Sequence, residues 1–475
     1  MTTDQMTAKR ECSLAGKCGA CQTLNLTYER ELSMKMKKEI ALLGRYGHVE
    51  EILPSPMPTH YRNKVQYLFC RNGERVRYGL YRSSDGGIVH VDRCLMEDEG
   101  ASAVCHTVRR MLDRYGVTVY DGRRGVLRHV MARRARSTGE IICALVTSAE
   151  RFPRAVEFAA ELAKRCPDIR SVSQIINDTD TPLWLGSKET VLYGDGYITD
   201  ELCGCRFDIS ARAFYQINPT STELLYRTAA ELAELRETDD ILDAYCGIGT
   251  VGIIAAKHGC RSLTGFDVNE DAIKNARENA RRNGLPEARY FCGSDTAVTR
   301  ELSGKHYDVV FADPPRAGCD KRFIDLLRRL SPERLVYISC DPETLARDLE
   351  QLKRSGYRVG RIQPVDMFPG TVHVETVCLL SKLQNRQHIE IELNMDELDV
   401  TDAEKKATYQ EIKDYVLEHS GLKVSSLYIA QVKQKCGIIE RENYNKPKSE
   451  DSRQAKCPPE KEAAIMEALR HFGMI

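Results

Sequence analysis

Ile241-Leu242-Asp243-Ala244-Tyr245-Cys246-Gly247-Ile248-Gly249-Thr250 decides how the rest of the chain is read. A short apolar run ends in an acid, a glycine-rich turn follows, and Val251-Gly252-Ile253-Ile254-Ala255-Ala256 continues as a helix. That is a strand, a tight loop and a helix N-terminus, the entry to an open α/β sheet whose ligand lies beyond the strand's carboxyl end. Glycines let the backbone pass close beneath a ligand, and the first helical turn offers unpaired N–H groups. A Gly-x-Gly by itself is a common loop. Here Leu263-Thr264-Gly265-Phe266-Asp267 follows about twenty residues on, a second strand ending in an acid at the spacing that holds a ribose.

The glycines at 247, 249 and 252 leave a dinucleotide open on spacing alone. Asp243 argues against one, because a carboxylate there repels pyrophosphate and suits the cationic methionine end of S-adenosylmethionine. Tyr307-Asp308-Val309-Val310-Phe311-Ala312-Asp313-Pro314-Pro315-Arg316 delivers a third acid to the same rim. The pattern resembles a class I methyltransferase.

A chain of 475 residues has room for two to four domains. Its formal net charge is zero, so any basic surface for nucleic acid must be local. No apolar run approaches the roughly 18 residues of a membrane span, and the polar start carries no signal-peptide core. A cytoplasmic protein, acting as a monomer, is expected. Most of the 18 cysteines are scattered singly and read as small buried hydrophobes.

One group is not scattered: Cys12-Ser-Leu-Ala-Gly-Lys-Cys18-Gly-Ala-Cys21. Such spacing lets several sulfurs converge on a metal centre, with Cys94 as the candidate fourth ligand. Four thiolates suit zinc or an iron–sulfur cluster, and spacing does not separate the two.

Leu24 to Arg45 reads as a helix with Tyr28, Leu32, Met36, Ile40 and Leu43 on one face. From Tyr61 to about Cys205, alternating runs predict strands at 65–70, 79–81, 117–120, 141–146 and 171–176, with helices around 101–115 and 152–164. Arginine is dense here, at 109, 110, 114, 123, 124, 128, 133, 134 and 136, with few acids opposite. A solvated face explains such a run, but a one-sign strip on a β platform reads better as phosphate contacts.

The catalytic domain opens with Phe214-Tyr215-Gln216-Ile217-Asn218-Pro219, where Asn218 caps a helix and Gln216 stands ready for a ligand or for loop packing. Strands and helices then alternate, which predicts a doubly wound, mostly parallel sheet. Ser339-Cys340-Asp341-Pro342 falls between a strand and a helix capped by Asp341. The helix N-terminus is expected to lower the Cys340 thiol pKa and yield a nucleophilic thiolate. In Thr371–Leu380 a late strand is expected to carry His373 and Glu375 on one face, with Glu375 a general base. A buried cysteine and ordinary strand-end solvation are the bland alternatives.

Together these residues resemble the RNA uracil-5-methyltransferases, S-adenosylmethionine enzymes acting on ribosomal or transfer RNA. Phe214-x-Gln216-x-Asn218, Asp243-x-Tyr245-Cys246-Gly247-x-Gly249, Asp313-Pro314-Pro315-Arg316, Ser339-Cys340-Asp341-Pro342-x-Thr344-Leu345-Ala346-Arg347-Asp348 and His373-x-Glu375 stand in the family's order across roughly residues 12 to 383. The resemblance implies Cys340 as nucleophile and Glu375 as base, with Gln216, Tyr245, Gly247, Asp267 and Asp313 at the cofactor. It also implies the branch in which Cys12, Cys18, Cys21 and Cys94 hold a four-iron four-sulfur cluster, with zinc the alternative. Asp267 stands where relatives often have Glu. The target base would have to be flipped out of its stack.

The expected architecture is therefore α/β: a cysteine-rich segment and helix (1–50), an α+β RNA-binding domain contributing Cys94 (51–205), a Rossmann-like methyltransferase domain (206–383) and a small helical domain (390–475). A linker is placed around 384–389. Many relatives carry a small β-barrel before the cysteines, and this chain starts almost at Cys12, which points to the ribosomal-RNA branch. In the tail, Lys433 and Lys435 on the second helix suggest a helix-turn-helix on nucleic acid, or else a plain helical hairpin. Methylation of a base's exocyclic amine and non-catalytic RNA binding are the rival functions.

Overall fold

The computed structural model describes residues 6–7, 10–72, 75–82, 84, 87–178, 185–186, 188–302, 304–383, 409–436, 457–472 and 474–475. The linker expected at 384–389 and the polar stretch 440–456 lie outside them. The chain divides into two compact units, Met1–Asn385 and Arg386–Ile475.

Helix α1 (Tyr28–Leu43) is shorter than the expected 24–45, because the Thr27 hydroxyl caps it by accepting from the Arg30 amide. Seven strands follow in one mixed sheet: β1 (Lys64–Asn72), β2 (Arg75–Tyr81), β3 (Ile88–His90), β4 (Leu127–Arg134), β5 (Ile141–Thr147), β6 (Ile169–Ile176) and β7 (Lys188–Tyr193). Their order is β3-β2-β1-β4-β5-β6-β7, with α2 (Glu99–Met111) and α3 (Ala155–Arg165) packed on the sheet. The strand expected at 117–120 does not form. Val119 makes a single bridge to Leu127, and the chain turns back through Gly122 and Gly125, both at positive φ.

A ribbon, β8 (Tyr197–Leu202) and β9 (Cys205–Ser210), leads to the second sheet. Its strands are β10 (Asp240–Ala244), β11 (Ser262–Asp267), β12 (Arg289–Cys292), β13 (Val309–Ala312), β14 (Arg334–Ser339), β15 (Tyr357–Val365) and β16 (Glu375–Lys382), in the order β12-β11-β10-β13-β14-β16-β15. The first five are mutually parallel, while β16 runs antiparallel to both β14 and β15. Crossovers are α4 (Pro219–Ala233), α5 (Thr250–Ala256), α6 (Glu270–Arg282), α7 (Asp295–Leu302), α8 (Lys321–Leu330) and α9 (Pro342–Arg354). Strands β13 and β14 are buried at every residue, as a parallel sheet covered on both faces requires. Strand order reverses between β11 and β13 around β10, so the crevice for a ligand opens at the carboxyl end of β10. This is the doubly wound α/β sheet expected from the alternation.

Helix α1 departs from its expected pattern. Ile40 is 52% exposed, while Glu31, Lys35 and Glu39 are buried. The reason is a set of partners far along the chain. Lys35 Nζ lies 2.7 Å from both Glu31 Oε1 and Asp366 Oδ1, and Tyr28 OH donates to Asp366 Oδ2 at 2.6 Å.

In the second unit, α10 (Tyr409–Ser420), α11 (Ser426–Lys435) and α12 (Pro459–His471) enclose a core of Ile412, Val416, Ile429, Val432, Ile465 and Leu469. Lys433 is buried over the Tyr409 ring, 4.5 Å from its centroid, and Lys435 pairs with Glu462 at 2.7 Å. Both cations that suggested a nucleic-acid contact are engaged within the unit, which favours the plain helical packing. Among the described residues no helix is long and apolar enough to cross a membrane.

Candidate active site

The crevice is lined from the ends of four parallel strands. After β10 the backbone turns through Tyr245, Gly247 and Gly249, at φ 60°, 55° and 83°. A methyl group added at Gly247 would meet nothing within 4 Å, so this turn faces open space. Gly247 N–H donates to Asp267 Oδ2 at 3.0 Å, which ties the turn to the end of β11. The other oxygen of Asp267 accepts from the Asn269 amide at 2.8 Å. Asp267 therefore stands fixed beside the loop, each oxygen keeping a further lone pair for a diol. The ring of Tyr245 rests against Phe323, centroids 5.0 Å apart.

Asp243 differs from its expected role. It is buried, and its Oδ2 accepts from the Gly252 amide at 2.8 Å, so it braces the first turn of α5 from within. Burial pushes its carboxyl up to about 8, opposed by the Gly252 bond and reinforced by Asp313 and Asp267.

Asp313 follows β13, and burial raises its pKa to about 7. Gln216 is buried before α4, and its side chain bonds to Tyr226, whose hydroxyl feels the charges of both Asp313 and Glu375. That brings Gln216 to the same crevice. Tyr226 carried no signal in the sequence, being one apolar-face residue of an ordinary helix.

The β14–β16 ladder pairs Ser339 with Thr376, so Cys340 and Glu375 are the next residues outward, on neighbouring strands. Asp341 caps α9 as expected, its side chain accepting from the Glu343 and Thr344 amides. The thiol is not lowered. Burial, followed by the charges of Glu375 and Asp313, pushes Cys340 up to about 12, with Arg316 opposing. The helix N-terminus is outweighed because the sulfur is partly desolvated beside two carboxyls. Glu375 is 3% exposed, and its Oε2 has no hydrogen-bond partner. Burial and Asp313 hold its carboxyl well above the usual range, with Arg316 again opposing.

One expectation needs correction, and two residues of the site were not assigned. His373 lies in the loop before β16, its amide donating to Thr371 Oγ1 at 3.2 Å, so it does not share a strand face with Glu375. Arg316 is an exposed cation facing Cys340, Glu375 and His373, a role that the Asp-Pro-Pro-Arg motif hinted at and that the sequence reading left unassigned. Phe214 is a second omission, an aromatic 66% exposed two residues before Gln216.

The arginine strip is only partly available. Arg133 is buried and donates to Ala213 O at 3.1 Å, while Arg109, Arg114 and Arg134 face Asp113, Glu161, and Asp98 with Asp168. Arg123, Arg124 and Arg136 stay exposed.

Cys12, Cys18, Cys21 and Cys94 line one cavity of about 250 Å³. Desolvation raises the Cys21 and Cys94 thiols, to about 11 and about 12, and each feels the charge of a neighbouring cysteine. Among the described residues no three ligand-type side chains form a group that could hold a single metal ion.

The model of the tRNA (uracil-5-)-methyltransferase family matches residues 196–383. A Bacillus cereus protein described as an RNA methyltransferase is 36% identical over 383 residues, 79% of this chain and 83% of that one. A Clostridium tetani protein of the same description is 35% identical over 378 residues, covering 78% and 82%. The crystal structure of Pyrococcus abyssi tRNA (uracil-54, C5)-methyltransferase in complex with S-adenosyl-L-homocysteine matches with a TM-score of 0.65 at 31% identity, over 76% of this chain and 86% of that one. Identical to such relatives at 31–36% of aligned positions, over most of both chains, the protein belongs to the tRNA (uracil-5-)-methyltransferase family.

Proposed function

We propose that this protein methylates carbon 5 of a uridine in RNA, using S-adenosylmethionine, through a covalent Cys340–uracil adduct. The observation that carries the reading is the register of β14 against β16, which sets a cysteine beside a buried, unpartnered glutamate oxygen at the mouth of the crevice. S-adenosylmethionine supplies an electrophilic methyl group, and Gly247, Asp267, Tyr245, Asp313 and Gln216 are the proposed residues that hold it.

Carbon 5 of uracil is a weak nucleophile. Addition of the Cys340 sulfur to carbon 6 breaks the ring double bond and moves its electron pair to carbon 5, which then attacks the methyl. Glu375 takes the carbon-5 proton, the double bond re-forms, and the carbon–sulfur bond breaks to release Cys340. A thiol held near 12 stays protonated in the free protein. Its proton leaves to solvent as the ring settles in place, and the anion is favoured by the cation of Arg316. Glu375, its pKa raised by burial, sets no charge against that anion while protonated, and it releases that proton to solvent before it takes the one on carbon 5.

Ribosomal RNA, 23S in particular, is the proposed substrate. Transfer RNA is the rival, favoured by the description of the family model and by the Pyrococcus abyssi enzyme. For the cysteine segment, the proposed occupant is a four-iron four-sulfur cluster, with zinc the alternative: four thiols line one cavity, although among the described residues no three of them form a metal-holding group. Its proposed role is structural. The Gln22 and Thr23 amides beside Cys21 both donate to Gly370 O, at 2.9 and 3.1 Å, in the loop that leads to Glu375.

One assay tests the reaction. The protein is incubated with donor and RNA tritiated at uracil carbon 5, using ribosomal and transfer RNA separately. Tritium release from ribosomal RNA is expected, and its abolition by Cys340→Ala with RNA binding retained. Methyl transfer without tritium release would favour exocyclic-amine chemistry, turnover by Cys340→Ala would overturn the nucleophile, and no transfer would leave RNA binding alone.

A further inference from the structure

Beside the catalytic crevice lies a second cavity of about 170 Å³, between the entry to β1, the end of β4 and the start of α4. Asn63, Arg134, Arg136, Tyr61, Met57 and Thr220 are among its walls. Asn63 is held on three sides. Its amide donates to Ile217 O at 2.9 Å, its carbonyl accepts from the Arg134 amide at 2.8 Å, and its Nδ2 donates to Gln216 O at 3.3 Å. Because Nδ2 is engaged, the side-chain oxygen cannot trade places with it. Asn63 is 5% exposed, yet Oδ1 is buried without a partner. A buried acceptor left unpaired costs about 1–3 kcal/mol, so a site that keeps one is waiting for a donor.

At the rim stands Arg136, exposed, and with no carboxylate pairing with it among the described residues; its guanidinium lies 3.8 Å from Met57 Sδ. Arg134, by contrast, shares its charge with Asp98 and Asp168. The cavity's lining thus includes a residue with a buried, unpartnered acceptor and an exposed cation, with Tyr61 and Met57 among the other walls. Its floor, Asn63 on Gln216, is one residue layer from the crevice that Gln216 shares with Tyr226.

We infer that the cavity bounded by Asn63 and Arg136 binds a nucleotide flanking the target uridine, its phosphate on Arg136 and a ribose hydroxyl or base imino N–H donated to Asn63 Oδ1. The inference rests on the RNA-methyltransferase reading. A nucleotide brings both an anion and a donor, and a base flipped into the crevice carries its neighbours with it to this wall.

The test uses the full chain and fluorescent oligoribouridylate and oligodeoxyuridylate of twelve nucleotides. Arg136→Ala, at an exposed position, is expected to weaken oligoribouridylate binding several-fold and to flatten the slope of log affinity against log salt by about 0.7, the value for one phosphate on a single strand. Asn63→Leu is expected to weaken it about tenfold, the scale of one net hydrogen bond, with thermal unfolding run alongside. If the hydroxyl is the donor, the ribo-over-deoxy preference of the unaltered protein disappears in Asn63→Leu. If the imino group is the donor, both oligomers weaken alike. Wild-type affinity and salt slope in both variants, with methyl transfer to RNA intact in the unaltered protein, would overturn the subsite alone. Absence of both binding and methyl transfer in the unaltered protein would overturn the methyltransferase reading and the subsite with it.

Discussion

Thr376 donates its hydroxyl to Glu39 Oε2 at 2.9 Å, and both residues are fully buried. Through this contact α1 grips the residue next to Glu375. The second oxygen of Glu39 has no partner, and burial lifts the carboxyl to about 7, with Thr376 and Lys38 opposing and Asp341 adding to the rise. A carboxyl whose folded-state pKa exceeds its unfolded value binds protons more tightly when folded. This group therefore favours the fold at low pH, and that contribution is lost as pH rises from about 4.5 to about 7. Glu39→Gln keeps an acceptor for Thr376 and removes the buried charge. Thermal unfolding should show the variant more stable than the unaltered protein at pH 8, by up to about 3 kcal/mol, with the gap closing toward pH 4.5. A gap that does not change with pH would refute a buried, ionising Glu39.

Glu375→Gln separates proton removal from sulfur addition. The amide occupies the same space at the start of β16 but takes no proton. Turnover should fall by about 10²–10⁴-fold, the range for a lost general base. Cys340 should still add to the ring, and the methylated adduct, unable to shed its proton, should accumulate as a denaturant-resistant protein–RNA band. Equal loss of turnover without that band would mean that Glu375 acts before the covalent step.

The strand-end acids were legible because a parallel sheet writes its sites as short apolar runs that stop at Asp, Gly or Cys; Asp267, Asp313 and Cys340 all fall there. What could not be read is what long-range packing decides. Glu31, Lys35 and Glu39 have the spacing of a solvated helix face, and partners more than 300 residues on, Gly370, Asp366 and Thr376, turn that face inward. The Cys340 thiol was misjudged for the same reason: the helix N-terminus is local and visible in the sequence, whereas desolvation beside Glu375 is not. Arg133 likewise has the spacing of one more surface cation, but it is buried and bonds Ala213 O, in the loop between β9 and α4.

Gly252 is the tightest point of the cofactor loop. A Cβ there would lie 2.7 Å from Asp243 Oδ2 and 2.9 Å from Leu263 Cδ1. Alanine is the better helix former, by up to about 1 kcal/mol, but forcing extra volume into a packed interior costs about 1–3 kcal/mol. Crowding should win in Gly252→Ala, since Asp243 must leave its 2.8 Å bond to the helix amide. The expected result is a modest fall in melting temperature together with about tenfold weaker S-adenosylhomocysteine binding by calorimetry. Unchanged binding would show that the Asp243 brace does not shape the donor pocket.

Lys35 bridges two carboxylates, Glu31 and Asp366, in a site from which water is excluded, and it also donates to Phe368 O at 3.2 Å. Asp366 and Phe368 stand in the loop after β15, and Gly370 N–H donates to Glu31 Oε1 at 2.8 Å, so one cation organises the approach to Glu375. Lys35→Met preserves the aliphatic bulk but leaves two buried acids facing each other. Removing one member of a buried ionic set typically costs about 3–5 kcal/mol, because the remaining charge is stranded. Replacing all three, with Glu31→Gln and Asp366→Asn added, removes both stranded carboxylates and should recover part of that loss in thermal unfolding, the remainder being the buried Arg10 guanidinium that pairs with Glu31. Activity should not recover in parallel, because the neutral set keeps the packing without the pull on Phe368 and Gly370. If the triple variant regains full turnover along with its stability, the charges serve the fold alone and the loop before Glu375 is placed by packing.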